Sequence, residues 1–89
     1  MEVRVDPFDA IADETRRRIL GLLHRRSLRA GAIAHRFPEI SRPAVAKHLS
    51  ILRRARLVQA RRIGREVRYS LNTAPLAEVA GWLRKLEAS

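Results

Sequence analysis

The chain has 89 residues, 46% of them hydrophobic, and no cysteine, which indicates one small globular domain and excludes a disulfide framework or thiolate metal site. Its formal net charge is +10, and between Thr15 and Leu71 there are 16 basic residues against two acidic ones. This surplus favours a polyanionic partner, although a solubilising surface would have the same composition. No apolar run approaches the roughly 18 residues of a membrane span, so we expect a cytoplasmic protein without a membrane partner.

The first two helices are predicted over 7–12 and 14–25. Pro7 suits the first turn of a helix, and Asp13 is placed to cap the second helix with its carboxylate. Three consecutive arginines, 16–18, follow this cap, so at least one of them must point away from the core.

The third helix is predicted over 30–36 and has a weak start. Arg29 stands where a capping Ser, Thr or Asp would help, and Gly31 lowers the helix propensity. The turn at 37–40 contains a proline and ends this helix.

The fourth helix begins at Ser41, a good N-cap, and Val45, Leu49 and Leu52 recur at helical spacing as its buried stripe. Its opposite side combines small and basic residues, which allows close approach to base edges and contact with phosphates. The alternative is an ordinary surface helix with a solvated basic face. The predicted DNA-contacting residues are Ser41, Arg42, Pro43, Ala46, Lys47, Ser50 and Arg54.

Beyond this helix the hydrophobic period changes to two, which predicts strands over 57–62 and 67–71. The connection at 63–66 contains Gly64 and predicts a β-hairpin with a basic tip. Basic residues on such a wing can lie along the DNA backbone or probe the minor groove, or they can protect an exposed edge from aggregation. The predicted wing residues are Arg61, Arg62, Gly64, Arg65 and Arg68.

A last helix is predicted over about 74–87, and Trp82 widens its apolar stripe beyond what one small core needs. With the first helix it is predicted to form a homodimer interface, the alternative being completion of the monomer core. The predicted interface residues are Phe8, Ile11, Leu76, Val79, Trp82, Leu83 and Leu86.

The resulting order, α-α-α-α-β-β-α, is mainly α with a small β-hairpin and predicts one winged helix-turn-helix domain over residues 1–89. The predicted function is sequence-specific binding of double-stranded DNA by a homodimeric transcriptional regulator. A winged-helix protein-interaction module and a non-specific DNA-binding protein are the alternatives. No enzyme is expected, because no set of nucleophile, base and orienting group is visible.

The chain resembles the ArsR/SmtB family of bacterial transcriptional repressors in segments 13–20, 41–49, 57–58, 64–65 and 69–72, which follow the family's order and spacing. The most specific element is the Ser-x-Pro-x-Val-x-x-His-Leu pattern at 41–49. The resemblance covers nearly the whole chain. It implies a homodimeric repressor that binds an inverted-repeat operator in double-stranded DNA, its own promoter being one candidate, with the first and last helices at the dimer interface.

The chain departs from the family pattern at two helix ends. Arg56 stands where many members have the glycine that ends the recognition helix in a left-handed conformation. It must either adopt that conformation or end the helix differently. Arg29 and Ala32 replace a Thr and Glu pair that would form a capping box, so the third helix should be less firmly anchored.

The ligands of the metal-sensing members are also missing. Arg29 and Gly31 occupy the positions of the family's Cys pair, and the last helix contains no His. His24, His35 and His48 match no compact ligand motif, and His48 is expected to pack or hydrogen-bond near the helix base. The resemblance therefore implies a repressor of the non-metal-sensing type. No metal site or cofactor is expected, and a small-molecule or protein effector is left unidentified.

Overall fold

The computed structural model describes residues 3–88, so the ends of the domain predicted over 1–89 (Met1, Glu2 and Ser89) lie outside the described residues. Within this range five helices and three strands follow one another. They are α1 (Pro7–Ile11), α2 (Glu14–Leu22), β1 (Leu28–Arg29), α3 (Ala30–His35), α4 (Arg42–Arg54), β2 (Val58–Ile63), β3 (Glu66–Leu71) and α5 (Leu76–Glu87). No helix in this part of the chain is long and apolar enough to cross a membrane.

The helices form where the sequence predicts them, with shifts at their ends. Asp13 caps α2 by accepting a hydrogen bond from the Arg16 amide at 2.9 Å. This bond is the main reason why the pKa of Asp13 lies below its ordinary value. The helix ends at Leu22 instead of residue 25, and Arg25 then takes a left-handed φ of 63°. At the start of α3, Arg29 makes no side-chain capping bond, which confirms its predicted weak start.

The strand β1 is a correction to the predicted element order. Leu28 and Arg29 pair antiparallel with Tyr69 and Arg68 of β3, which gives a three-stranded sheet with the order β1-β3-β2. The order of elements is therefore α-α-β-α-α-β-β-α. Two residues are too few to show a period-two pattern, and the partner strand lies far along the chain.

The predicted hairpin is confirmed, with its strands moved closer to the turn. β2 and β3 pair from Val58 opposite Leu71 to Ile63 opposite Glu66, so only two residues form the connection. The first of them, Gly64, has a φ of 62°, as the tight primed hairpin turns require at that position.

The core is formed by apolar side chains of the three central helices and the start of the hairpin. Its fully covered large members are Ile19, Leu23, Ile33, Val45, Leu52 and Leu57. By contrast, none of the residues of α5 is fully buried within the described chain. The last helix packs on α1 at one side, and only its Leu76 is packed, partly buried, against the core among the described residues.

The end of α4 explains how the chain tolerates Arg56. The Arg56 amide donates to the Arg53 carbonyl at 2.9 Å, and the Leu57 amide donates to the Leu52 carbonyl at 3.0 Å. These two bonds, with Arg56 at a φ of 61°, form a Schellman motif. The Asn72 amide group also donates to the Arg56 carbonyl at 2.8 Å. Arg56 therefore accepts the left-handed conformation that glycine usually supplies.

Replacing Arg56 with glycine should raise the free energy of unfolding by about 0.5–1 kcal/mol, because a left-handed residue with a Cβ costs about 1–2 kcal/mol and glycine's freedom in the unfolded chain offsets part of the gain. Urea denaturation at one fixed protein concentration measures the difference. Arg53→Gly is the control, since a glycine inside the helix should lower stability by about 1 kcal/mol. A less stable Arg56→Gly protein would contradict this account.

Candidate nucleic-acid interface

Helix α4 has a defined start and one buried side. The Ser41 hydroxyl accepts a hydrogen bond from the Ala44 amide at 3.2 Å, which confirms Ser41 as the N-cap. Val45, Leu49 and Leu52 are all buried, as their spacing predicts. Because this stripe turns inward, the opposite side of the helix must face outward.

Most residues predicted on the outer side of α4 do lie there. The exposed ones are Ser41, Arg42, Pro43, Ala46 and Lys47, and Ser50 is half-buried. Arg54 differs, since it is half-buried and its Nε is buried without a hydrogen-bond partner among the described residues. The Arg54 carbonyl accepts from the Val5 amide at 3.2 Å, which brings the N-terminal segment against the end of the helix. The prediction for Arg54 considers only the faces of α4 itself, so it cannot show that this segment lies against the end of the helix.

The predicted wing residues divide into two groups. Arg61, Arg62, Gly64 and Arg65 are exposed. Arg68 is half-buried, and its Nε contacts a Glu66 carboxylate oxygen at 3.2 Å while its Nη1 donates to the Ser27 carbonyl at 3.2 Å. Glu66 also pairs with Arg29 of β1 at 3.4 Å. Arg68 therefore ties the hairpin to the segment before α3 and is less free for a ligand.

The register of the hairpin determines where its arginines point. Arg61 lies opposite Arg68, and Arg62 lies opposite Val67, so neighbouring arginines project from opposite faces of the sheet. Arg29 also pairs with Arg68, which places three arginines in a row across the three strands. Like charges in such a row repel one another. The Glu66 carboxylate, two residues from Arg68 and on the same face, pairs with both Arg29 and Arg68 and offsets this repulsion.

The terminal helices α1 and α5 pack together and bring two of the predicted interface residues, Phe8 and Trp82, into contact. The rings of Phe8 and Trp82 meet edge to face, with centroids 5.7 Å apart. Trp82, Leu83 and Leu86 remain 49%, 46% and 57% exposed. The other predicted members, Ile11, Leu76 and Val79, are partly buried. An apolar strip along α5 is therefore left open to solvent.

His48 and Arg16 form a contact that the sequence indicates only in part. His48 Nδ1 lies 3.4 Å from Arg16 Nη1 and 4.0 Å from an Asp13 carboxylate oxygen. This agrees with the expectation that His48 hydrogen-bonds near the helix base. No spacing rule identifies Arg16 as its partner, since the two residues are 32 positions apart. The sequence feature that singles out Arg16 is its place in the run of three arginines after Asp13, and this run does not indicate which residue it contacts.

Within residues 3–88, no group of three or more His, Asp or Glu side chains lies close enough together to hold a metal ion.

Known proteins similar to this chain are helix-turn-helix regulators. Residues 11–59 match the profile of a helix-turn-helix domain family. The chain is 43% identical over 76 residues to the transcriptional repressor SdpR of Bacillus subtilis, a match covering 85% of this chain and 83% of SdpR. It is 44% identical over 64 residues to a transcriptional repressor SmtB homolog of Synechocystis, covering 72% of this chain and 48% of that protein.

Solved structures agree with the sequence matches. An ArsR-like transcriptional regulator from Rhodococcus sp. RHA1 superposes with a TM-score of 0.83 at 42% identity, over 91% of this chain and 73% of that one. A second structure, an ArsR family transcriptional regulator, superposes with a TM-score of 0.81 at 28% identity, over 91% and 82% of the two chains.

Because Arg68 is tied to Glu66 and Ser27, Arg68→Ala should lower the free energy of unfolding by about 0.5–1 kcal/mol. Arg61→Ala is the matched control, since Arg61 has no acidic partner among the described residues. Arg61→Ala should change the free energy of unfolding by less than about 0.5 kcal/mol. Chemical denaturation of both variants measures the difference. Equal effects would show that Arg68 is not part of the scaffold.

Proposed function

The chain belongs to the ArsR/SmtB family of winged helix-turn-helix, DNA-binding transcriptional regulators, and we propose that it acts as a homodimeric repressor on an inverted-repeat operator. Regulators of this family are not enzymes. A DNA target also implies a cytoplasmic location. The observation that carries the proposal is the outward face of α4, where small and basic residues stand exposed above a fully buried stripe.

In this proposal α4 enters the major groove with its N-terminal half. Arg42 and Lys47 contact bases or phosphates, while Ala46 and Ser50 allow the helix to come close to the base edges. Ser41 donates its hydroxyl proton to a phosphate while its oxygen caps the helix. The exposure of Arg42 and Lys47 supports these roles. Pro43 lies between them in the first turn, and Arg54 contributes least because its Nε is buried.

The wing would contact the DNA backbone or the minor groove beside α4. Arg61, Arg62 and Arg65 are the proposed contacts, and Gly64 allows the tight turn that presents them. Arg68 acts on the scaffold, where it holds Glu66 and Ser27. Its contribution to DNA binding is therefore indirect.

Dimerisation through the terminal helices would provide the two-fold symmetry that an inverted repeat requires. The open apolar strip on α5, next to Phe8 of α1, supports this arrangement because a second copy would cover it. Two recognition helices about 34–36 Å apart would then enter successive major grooves. Phe8, Ile11, Leu76, Val79, Trp82, Leu83 and Leu86 are the proposed interface residues.

A duplex carrying the upstream region of the protein's own gene should bind more tightly than a scrambled duplex, and its affinity should fall steeply with salt because each protomer neutralises several phosphates.

Lys47→Ala should weaken operator binding by about 10-fold if it loses one good base or phosphate contact. Fluorescence anisotropy across a salt series measures both effects. Arg26→Ala, which removes the same charge from the exposed turn after α2, is the control.

Two outcomes would contradict the proposal. Equal affinity for operator and scrambled DNA across the salt series would indicate a non-specific DNA-binding protein. Equal binding to DNA and to an acidic polymer such as heparin would indicate a protein-interaction module. Loss of far-UV circular dichroism in Lys47→Ala would instead make Lys47 a structural residue.

Replacing Trp82 with alanine should shift the protein from dimer towards monomer, because the ring is half-exposed in one chain and aromatic anchors dominate interface energies. Sedimentation equilibrium over a range of concentrations measures the shift. Ile63→Ala removes a comparably exposed apolar side chain, 55% accessible, from the wing and should leave the mass unchanged. An unchanged mass in the Trp82 variant would exclude this interface.

A further inference from the structure

The side chain of Arg16 reaches from α1 to α4, and all three of its guanidinium nitrogens are engaged. Nε donates to the Ala10 carbonyl at 2.7 Å, and Nη2 donates to the Asp9 carbonyl at 3.1 Å. The remaining nitrogen, Nη1, lies 3.4 Å from His48 Nδ1. One residue of α2 therefore contacts the end of α1 and the middle of α4.

The bonds to α1 are strong for a physical reason. Because α1 has five residues, its last carbonyls have few partners inside the helix. A cationic guanidinium fork is well suited to fill this gap, and bonds from a charged donor are stronger than neutral ones. Arg17 helps by donating from Nη1 to the Ile11 carbonyl at 2.8 Å. Unlike Arg16, it makes no hydrogen bond or ion pair with α4 among the described residues.

The contact with α4 lies next to the proposed DNA-binding face. The His48 side chain is only 20% exposed, and it directly precedes the buried Leu49 and follows the exposed Lys47. Nδ1 accepts from the Arg16 guanidinium when the ring proton is on Nε2, and an Asp13 carboxylate oxygen lies 4.0 Å from the same nitrogen. Phe8 of α1 packs on Trp82 of α5. Through α1, the Arg16 side chain therefore connects the apolar strip of α5 with the recognition helix α4.

We propose that Arg16 is a positioning residue for operator recognition, which acts through His48 to hold α4 in a fixed orientation relative to the α1–α5 face. This inference rests on the proposed function. In a two-fold dimer, the orientation of each α4 determines whether both helices fit successive grooves. A small rotation would harm binding to the paired half-sites more than binding to phosphates at random positions.

The test compares operator and scrambled duplexes of equal length at one salt concentration, by anisotropy, for several variants. Arg16→Ala and His48→Ala should each weaken operator binding by about 10-fold, with scrambled DNA changed by less than about 3-fold. In the His48→Ala background, Arg16→Ala should lower operator affinity by less than a further ~3-fold, because the effects of substitutions at coupled residues are not additive. Arg17→Ala, which loses a similar bond to α1, should leave operator affinity within about 3-fold of the parent.

Three results would overturn the inference. An undiminished effect of Arg16→Ala in the His48→Ala background would show that Arg16 acts through α1 alone. If Arg17→Ala weakened operator binding as much as Arg16→Ala, the role of Arg16 would be only to cap the carbonyls of α1. Equal losses of affinity for operator and scrambled DNA would show that Arg16 acts only through its charge. If Arg16→Ala does not fold, Arg16→Lys keeps the charge without the three-way fork and replaces it in the series.

A parent protein without operator preference would contradict the proposed function itself, before any variant is compared.

Discussion

The burial of one stripe of α4 is the constraint on which the rest of the molecule depends. Val45, Leu49 and Leu52 each lose nearly all their accessible surface, and burying a side chain of this kind contributes about 1.5–3 kcal/mol. Because the three residues share one side of the helix, their burial leaves α4 a single orientation about its own axis. The basic side then faces solvent whatever the details of the individual contacts. The bonds at Ser41 and Arg56 fix where this helix begins and ends.

The large positive charge of the chain is divided between structural and free arginines. Arg68 holds the sheet through Glu66, and Arg16 holds two helices, so neither is freely available to a ligand. Arg18 pairs with Glu39 at 3.5 Å and lies over the Phe37 ring at 4.8 Å. The net charge therefore overstates the number of arginines available for DNA. Those that remain exposed on α4 and the hairpin form the surface with which a polyanion would interact.

The small size of the core explains the open face of α5. The fully buried apolar residues come from α1 to α4, the turns that follow them and the start of the hairpin, whereas α5 buries none of its residues completely within the described chain. Its packing on α1 covers only one side of its apolar stripe. A short chain often completes its burial by association, and the edge-to-face contact of Phe8 and Trp82 marks where this would begin.

Much of this structure was determined by short-range features that the sequence displays directly. The caps at Asp13 and Ser41, the stripe of α4 and the glycine turn at Gly64 depend on residues a few positions apart, so their pattern predicts them. The roles of individual basic side chains were decided only by the tertiary structure. Arg68 and Ser27 are 41 positions apart, and Arg16 and His48 are 32 apart. Such contacts form only when packing brings distant segments together, and neither periodicity nor composition records which segments those are. The same holds for β1 and for the bond from the Val5 amide to the Arg54 carbonyl, because each depends on a segment remote in sequence.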